Sequence, residues 1–176
     1  MKKKLSRDLV IDASVARASG GVMATHPTAA VTRDFLQAVL TICHKAVMTS
    51  AVRDEWDKHQ SNYARKWRSS MVARKKLKLL IVEKREDLRQ QVELENISRT
   101  QKNAMLKDCH LIEAALATDQ RIIALDDAAR ALFSEASSNI SEIQNILWVN
   151  PVAEPEQVMA WLNGAPDQAK WELKRA

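Results

Sequence analysis

The sequence predicts a helix-rich α/β protein, folded as a three-layer α/β/α sandwich around a short, mostly parallel sheet. Continuous apolar runs at residues 9–11, 122–125 and 146–149 are typical of strands that are buried on both faces. Segments with helical apolar spacing alternate with these runs, as they do in βα units. The low content of turn-forming residues, 3 Gly and 4 Pro in 176 residues, argues against β-sandwiches and barrels.

Apolar spacing divides the chain into elements in a definite order. The predicted strands are 8–11, 46–48, 121–125 and 146–149. The predicted helices are 13–18, 29–44, a segment from Ser50 to Trp67, 104–118, 127–133, 155–162 and 167–175. Thr28 and Ser50 are suitable N-caps, and Pro155 suits a first helical turn. Residues 77–82 fit a strand or a helix; we favour a helix, which makes residues 69–95 mostly helical.

We expect one main domain over residues 1–150, with a helical extension over residues 151–176. No apolar run reaches the roughly 20 residues that a membrane span requires. The basic residues at the start are not followed by the apolar stretch of a signal peptide. We therefore expect a cytoplasmic protein that does not enter a membrane, with Cys43 and Cys109 as buried, reduced thiols.

The positive charge of the chain is concentrated in one block. Residues 65–102 hold 12 Lys or Arg and 5 Asp or Glu, an excess of seven, whereas the whole chain carries +5. Such a block favours a polyanionic partner such as RNA, DNA or an acidic protein segment, although a solvated helical face would give the same pattern. The candidate phosphate-binding residues are Arg65, Lys66, Arg68, Arg74, Lys75 and Lys76.

Two acidic residues directly follow predicted strands. Asp12 closes the run at 9–11, and Asp126 closes the run at 122–125. If these strands are parallel neighbours, their carboxyl ends bring both acids to one edge of the sheet, where α/β proteins bind ligands. Each acid also precedes a predicted helix, and capping that helix is a sufficient structural reason for an Asp. Both roles are compatible because a cap uses only one carboxylate oxygen.

Two further acids complete the candidate site. Asp108 lies on the margin of the apolar stripe of the helix 104–118, three residues after Met105 and four before Ile112. An ionised carboxylate near a core is costly unless a cation compensates it. Glu55 is a less specific signal, because an acid near the start of a helix also interacts favourably with the helix dipole.

The donor set predicts a hard cation. The four histidines and two cysteines lack the spacing of a zinc site, and the sequence has no nucleophilic-serine or P-loop motif. A site built from carboxylate oxygens alone favours Mg²⁺ or Mn²⁺. The candidate ligands are Asp12, Glu55, Asp108 and Asp126.

These acids stand in motifs that resemble those of PIN-domain nucleases. Residues 9–15, Leu-Val-Ile-Asp-Ala-Ser-Val, resemble the opening strand with its first metal-binding acid. Residues 48–56 resemble the second motif, a strand followed by a helix that bears a Glu. Residues 107–115 resemble the third motif, an Asp in an Ala-rich helix, and residues 121–127 are similar to the fourth. Order and spacing agree from about residue 8 to residue 149.

The resemblance implies a compact α/β/α fold in which the four acids surround one or two Mg²⁺ or Mn²⁺ ions. Many members of the family are VapC-type toxins that cut RNA, form homodimers and are neutralised by an antitoxin protein. This sequence departs from the pattern in three places. Ala124 stands where Ser or Thr is common, the segment 59–102 is longer and more basic, and the tail 151–176 is additional.

We therefore expect metal-dependent hydrolysis of RNA phosphodiester bonds. In this hypothesis Asp12 and Asp108 bind the ion directly, Asp126 binds it directly or through water, and Glu55 holds a metal-bound water or a second ion. Trp67 would stack a base or, as we favour, pack in the core against Tyr63. The alternatives are a nucleic-acid-binding module without catalysis, and a protein-interaction module that uses its basic helices.

Overall fold

A computed structural model describes residues 5–21 and 23–174. The strands of this part are β1 Asp8–Ile11, β2 Lys45–Met48, β3 Leu77–Leu79, β4 Arg121–Ile123 and β5 Leu147–Val149. Its helices are α1 Ala13–Ala18, α2 Pro27–Thr41, α3 Ser50–His59, α4 Asn62–Ala73, α5 Glu86–Leu94, α6 Arg99–Leu116, α7 Asp127–Ala136 and α8 Pro155–Trp161. Short 3-10 helices lie at Ser141–Ile143 and Ala169–Trp171.

The five strands form one parallel sheet in the order β3-β2-β1-β4-β5, which confirms the predicted helix-rich α/β class. The chain steps from β1 outward to β3, returns to β4 beside β1, and then steps outward to β5. Because crossovers between parallel strands are right-handed, α1–α4 cover one face of the sheet and α5–α7 cover the other. The direction of winding therefore reverses between β1 and β4, which is the usual ligand-binding position in such sheets.

The edge strand β3 shows that the helix we favoured over residues 77–82 is wrong. Leu77, Lys78 and Leu79 pair in parallel with β2. The turn before β3 contains Lys75 with a φ of 55°, which ends the helical path and redirects the chain. Three residues at a half-covered edge are too few to show a periodicity that separates a strand from a helix.

Two expected features of the N-terminal half are also wrong. The continuous helix from Ser50 to Trp67 is divided into α3 and α4, because Gln60 has extended backbone and Ser61 caps α4 by accepting a hydrogen bond from the Ala64 amide at 3.1 Å. The caps of α2 and α3 are His26 and Thr49, each immediately before its helix, in place of Thr28 and Ser50. His26 accepts a hydrogen bond from the Thr28 amide at 3.3 Å and Thr49 accepts one from the Val52 amide at 3.2 Å, so each helix is capped by a polar residue one or two positions earlier than predicted.

The C-terminal tail folds back onto β5 and shares the core of the sheet. Trp161 and Trp171 pack edge to face with ring centroids 5.4 Å apart, and both are buried. The Leu173 amide donates to the Ile146 carbonyl at 2.9 Å, beside an isolated antiparallel bridge between Glu172 and Leu147. The tail contains α8 as predicted, but a 3-10 turn replaces most of the helix expected at 167–175, of which residue 175 lies outside the described residues.

Within residues 5–21 and 23–174, each helix is too short or too polar to cross a bilayer.

Candidate active site

All four predicted acids line one cleft at the carboxyl ends of β1 and β4. The cleft has a volume of about 150 Å³. Its lining residues are Asp12, Ala13, Ser14, Arg17, Glu55, His59, Lys107, Asp108, His110, Leu111, Asp126 and Trp148. The four acids, separated by as many as 114 positions in the sequence, thus line one cleft beside the position where the winding of the sheet reverses.

The pairing of β1 with β4 positions the two strand-end acids. Val10 pairs with Ile122 and Ile11 with Ile123, in parallel. The Asp12 amide continues the ladder by donating to the Ile123 carbonyl at 2.9 Å. The expectation that these strands are parallel neighbours is therefore confirmed, and the acids that follow them lie at one edge.

Both strand-end acids cap the next helix. One oxygen of Asp12 accepts from the Ser14 amide at 3.0 Å, and one oxygen of Asp126 accepts from the Ala129 amide at 2.8 Å. These bonds hold each carboxylate in place at a helix start, where a negative charge is favoured. Each cap uses one oxygen, so the other oxygen remains for a ligand.

Ser14 joins the two acid-bearing segments. Its hydroxyl accepts a hydrogen bond from the Leu125 amide at 3.2 Å, one residue before Asp126. This contact fixes the start of α1 against the end of β4. Ser14 also lines the cleft, so its hydroxyl lies beside the acids.

Asp108 is the acid with the most unusual environment. It is half-buried on α6, and it makes no hydrogen bond or ion pair with any residue that the structure describes. Burial raises the pKa of Asp108 to about 6, and the negative charge of Asp12 adds to the rise, with a smaller effect from Asp126. His110 and Lys107 lower the pKa of Asp108 in part, but neither forms an ion pair with its carboxyl group, and the pKa stays above its ordinary value.

Glu55 differs because it already has cationic partners. Its position is set by the next residue, since the Trp56 indole N–H donates to the Ile11 carbonyl at 2.8 Å and pins α3 to the end of β1. The Glu55 carboxylate lies 3.0 Å from Lys58 Nζ and 3.5 Å from His59 Nε2. The hydrogen bond from Lys58 lowers the pKa of Glu55.

The acids share a cleft but do not close on a common point. Among the described residues, no three side chains of His, Cys, Asp or Glu are grouped so that they could hold a metal ion. Like charges repel, so carboxylates without a cation are expected to remain apart. Binding of an ion here would require these side chains to move toward it.

Several residues of the cleft were missed by the sequence analysis. Arg17 and Lys107 are exposed cations at its rim. His59 and His110 add imidazole rings to a site for which the sequence predicted only oxygen ligands. The two cations look like ordinary surface charges in the sequence. The histidines lack a metal-ligand spacing, because they lie on α3 and α6, which meet only in the folded chain.

The six basic residues proposed to bind phosphates lie on or just after α4, and they are absent from the described lining of the cleft. Arg65 and Lys66 are exposed on α4, and Lys75 is exposed beyond its end. Arg68 forms an ion pair with Asp57 at 2.8 Å. Arg74 and Lys76 donate to the Leu40 carbonyl at the end of α2, at 3.4 and 2.8 Å.

Trp67 is a core residue and does not offer a face for base stacking. It is buried, and its indole N–H donates to the Leu36 carbonyl at 2.6 Å. Its ring stacks on Trp56 with centroids 5.7 Å apart. The favoured assignment to the core is confirmed, although the aromatic partner is Trp56 and not Tyr63.

Comparison of the chain with family models, curated proteins and solved structures gives no match.

Proposed function

We propose that this protein is a Mg²⁺- or Mn²⁺-dependent ribonuclease that hydrolyses phosphodiester bonds in the acid cleft. The observation that carries the proposal is the state of Asp108, which is half-buried, unpaired among the described residues, and next to Asp12 and Asp126. A structural acid in this position would be expected to have an arginine or lysine partner. A divalent cation would offset most of the combined negative charge of these three acids.

The residues of the cleft fit such an ion in their chemistry. Asp12 and Asp126 each keep one oxygen that is not used in capping, and Asp108 keeps both. Carboxylate oxygens are the preferred ligands of hard divalent cations. Since Glu55 is already paired with Lys58 and His59, its assigned role is to orient a water or a second ion.

A bound divalent ion lowers the pKa of a water molecule and neutralises charge on the phosphate oxygens. The chain supplies the remaining functions. Arg17 and Lys107 are exposed at the rim, where they attract the phosphates of a polyanionic strand. The hydrogen bond from the Leu125 amide to the Ser14 hydroxyl joins the two backbone segments that carry Asp12 and Asp126.

The test is cleavage of RNA oligonucleotides in Mg²⁺ and in Mn²⁺, with EDTA as the metal-free reference. We expect Asp12→Asn and Asp108→Asn to lower the rate by at least about 100-fold, since each removes a ligand charge. Asn retains the cap at position 12, so the fold is preserved. The matched control is Asp54→Asn, an exposed acid of α3 outside the cleft, which should keep full activity. Metal-independent cleavage, or full activity in Asp108→Asn, contradicts the proposal.

A nucleic-acid-binding module without catalysis is the second candidate. The observation that favours it is the lack of a three-ligand group among the described residues. Fluorescence anisotropy with labelled RNA separates the two candidates. Tight RNA binding by wild type and by Asp108→Asn, together with no cleavage by either protein in Mg²⁺ or Mn²⁺, supports the binding module.

A toxin role, an antitoxin partner and a homodimer are finer proposals that depend on the resemblance to PIN-domain nucleases. Growth arrest on induced expression in bacteria, relieved by Asp108→Asn, is the result expected of a toxin. Light scattering of the purified chain reports the dimer. Normal growth contradicts the toxin role and, with it, the need for an antitoxin, and a monomeric mass contradicts the homodimer. Both results leave the nuclease proposal unaffected.

A further inference from the structure

His110 has a fixed ring orientation within the acid cleft. It lies on α6, two residues after Asp108, and it lines the same cleft. Its Nδ1 atom is 2.9 Å from the Lys107 carbonyl oxygen. A carbonyl oxygen only accepts hydrogen bonds, so Nδ1 carries a proton and donates it. In the neutral ring, Nε2 therefore presents a lone pair.

That lone pair has no partner. His110 Nε2 is buried from solvent and makes no hydrogen bond within the described part of the chain. Buried polar atoms in folded proteins nearly always have a partner, and the exceptions require an explanation. Asp108 lies close enough for its charge to interact with the ring, but neither it nor any other described residue forms a hydrogen bond with Nε2.

We infer that His110 Nε2 is a nitrogen ligand of the divalent ion in the acid cleft, so that the site prefers Mn²⁺ to Mg²⁺. The inference rests on the proposed metal-dependent function. Metal-binding histidines usually donate their second ring N–H to a carboxylate or a backbone carbonyl, as His110 does to Lys107. A hydroxyl donor would satisfy Nε2 alone, whereas a cation satisfies Nε2 and the unpaired Asp108 together.

The second histidine of the cleft provides a matched control. His59 Nε2 lies 3.5 Å from Glu55 Oε2, so this ring nitrogen already faces an acid. His59 is exposed on α3, whereas Nε2 of His110 is sealed from solvent. The two rings therefore have different assignments, with His110 as the ligand and His59 as a partner of Glu55.

Trp148 gives an independent indication that the cleft holds a ligand. Its ring is fully buried and lines the cleft, and its indole N–H has no hydrogen-bond partner in the described residues. An N–H group cannot bind a cation, but it donates readily to an oxygen atom. A water or a phosphate oxygen brought into the cleft with the ion is the partner that this donor lacks.

A nitrogen ligand changes the expected metal preference. Mg²⁺ is bound almost entirely through oxygen atoms, while imidazole suits transition metals. We expect His110→Ala to weaken Mn²⁺ binding by about 10-fold or more and to change Mg²⁺ binding little. His59→Ala should leave the affinity for both ions close to that of wild type. Calorimetric titration of the purified chain with each metal measures these affinities without reference to activity.

Pulsed electron paramagnetic resonance of the Mn²⁺ complex tests the bond itself. We expect a coupling from a directly bound imidazole nitrogen in wild type and in His59→Ala, and its loss in His110→Ala. Circular dichroism verifies that the variants are folded. If His110→Ala does not fold, the presence or absence of nitrogen coupling in the wild-type spectrum still decides whether a histidine binds the ion, and His59→Ala shows whether that histidine is His59.

The outcomes separate this inference from the proposed function. Mn²⁺ binding without nitrogen coupling in wild type overturns the role of His110 and leaves metal-dependent hydrolysis intact. Coupling that disappears in His59→Ala and persists in His110→Ala overturns it as well. No binding of Mn²⁺ or Mg²⁺ to the wild-type chain overturns both the inference and the proposed function.

Discussion

At the residue scale, the carboxyl group of Asp108 links the stability of the metal-free protein to pH. Its pKa of about 6 in the folded chain lies above the ordinary value of 3.8. The folded state therefore binds this proton more tightly than the unfolded state, and the resulting stabilisation is complete below about pH 4. The stabilisation is lost as the pH rises through 6. Ionisation of Asp108 therefore lowers the free energy of unfolding by about 1–3 kcal/mol relative to acid pH. This range allows for screening by solvent, because the side chain is partly exposed.

Replacing Asp108 with Asn removes this cost. In EDTA at pH 7.5, we expect Asp108→Asn to raise the melting temperature by about 2–8 °C, and at pH 4 to change it little. Differential scanning calorimetry at the two pH values is the measurement. The control is Asp34→Asn, an exposed acid of α2, which should have no effect at either pH. A lower melting temperature for Asp108→Asn at pH 7.5 would indicate a structural acid with a stabilising partner.

Single residues differ in how far the sequence predicts where they lie. Asp108 was expected at a ligand site because an acid at the edge of an apolar stripe is costly, and Asp12 and Asp126 were expected there because they close apolar runs; all three line the cleft. The state of His110 was not predictable. It depends on the hydrogen bond to Lys107 and on the burial of one ring nitrogen, and both follow from side-chain rotation within the folded cleft.

At the element scale, one buried ion pair holds α5 against α6, the helix that carries Asp108 and His110. Arg89 Nε and Nη2 donate to the two oxygens of Glu113 at 2.9 and 3.1 Å. The Glu113 side chain is only 6% exposed, and it also accepts from the Arg85 amide at 3.0 Å. Removal of Arg89 would leave a buried charge with one backbone donor.

We expect Arg89→Leu to lower the free energy of unfolding by about 3 kcal/mol, because a buried acid without its cation is strongly destabilising. The matched control is Arg99→Leu. Arg99 pairs with Glu93 at 2.8 Å, but both side chains are exposed, so its loss should cost less than about 1 kcal/mol. Urea unfolding followed by circular dichroism measures both variants. Equal effects would show that burial does not distinguish the two pairs.

The basic block permits a second test at this scale, because its members have different structural roles. Lys76 donates to carbonyl groups at the end of α2, and burial lowers its pKa, whereas Lys66 is exposed on α4. We expect Lys76→Met to lower the free energy of unfolding by about 1–3 kcal/mol, since a charged donor is removed from the end of a helix. Lys66→Met should leave stability unchanged.

We expect the two lysines to differ in the opposite way in RNA binding, with the larger effect for the exposed Lys66. If α4 binds phosphates, Lys66→Met weakens RNA binding and reduces its dependence on salt. Anisotropy titrations at several salt concentrations measure this change. An unchanged salt dependence in Lys66→Met would restrict the RNA-binding surface to other cations, such as Arg17 and Lys107 at the cleft.

Elements were predicted best where the pattern is long or wholly apolar. Strand β1 and helix α1 have the predicted bounds, and the apolar stripe of α6 was identified correctly. The three residues of β3 were assigned to the wrong element because this edge strand mixes exposed and half-buried side chains. Its pairing with β2 is a tertiary contact that a local pattern does not contain.

At the scale of the whole molecule, the order of the strands creates the cleft and the tail completes the fold. The sequence predicts parallel strands but does not determine their order. The prediction of a shared acid site therefore had to assume that β1 and β4 are neighbours, and the structure shows that they are. The sequence of the tail predicts its position even less well. Its tryptophans indicate that the tail is buried, but no sequence pattern predicts which edge of the sheet it covers.

The tail is expected to be essential for stability, although the sequence places it outside the main domain. Leu173 is fully buried in the common core, and Met159 of the same tail is 38% exposed. We expect Leu173→Ala to cost about 2–5 kcal/mol, because it leaves a cavity beside β5, and Met159→Ala to cost less than about 1 kcal/mol. Urea unfolding of the two variants compares these costs within one segment. If the tail were an independent extension, the two variants would be equally stable, and a chain ending at residue 150 would unfold at the same urea concentration as the full chain.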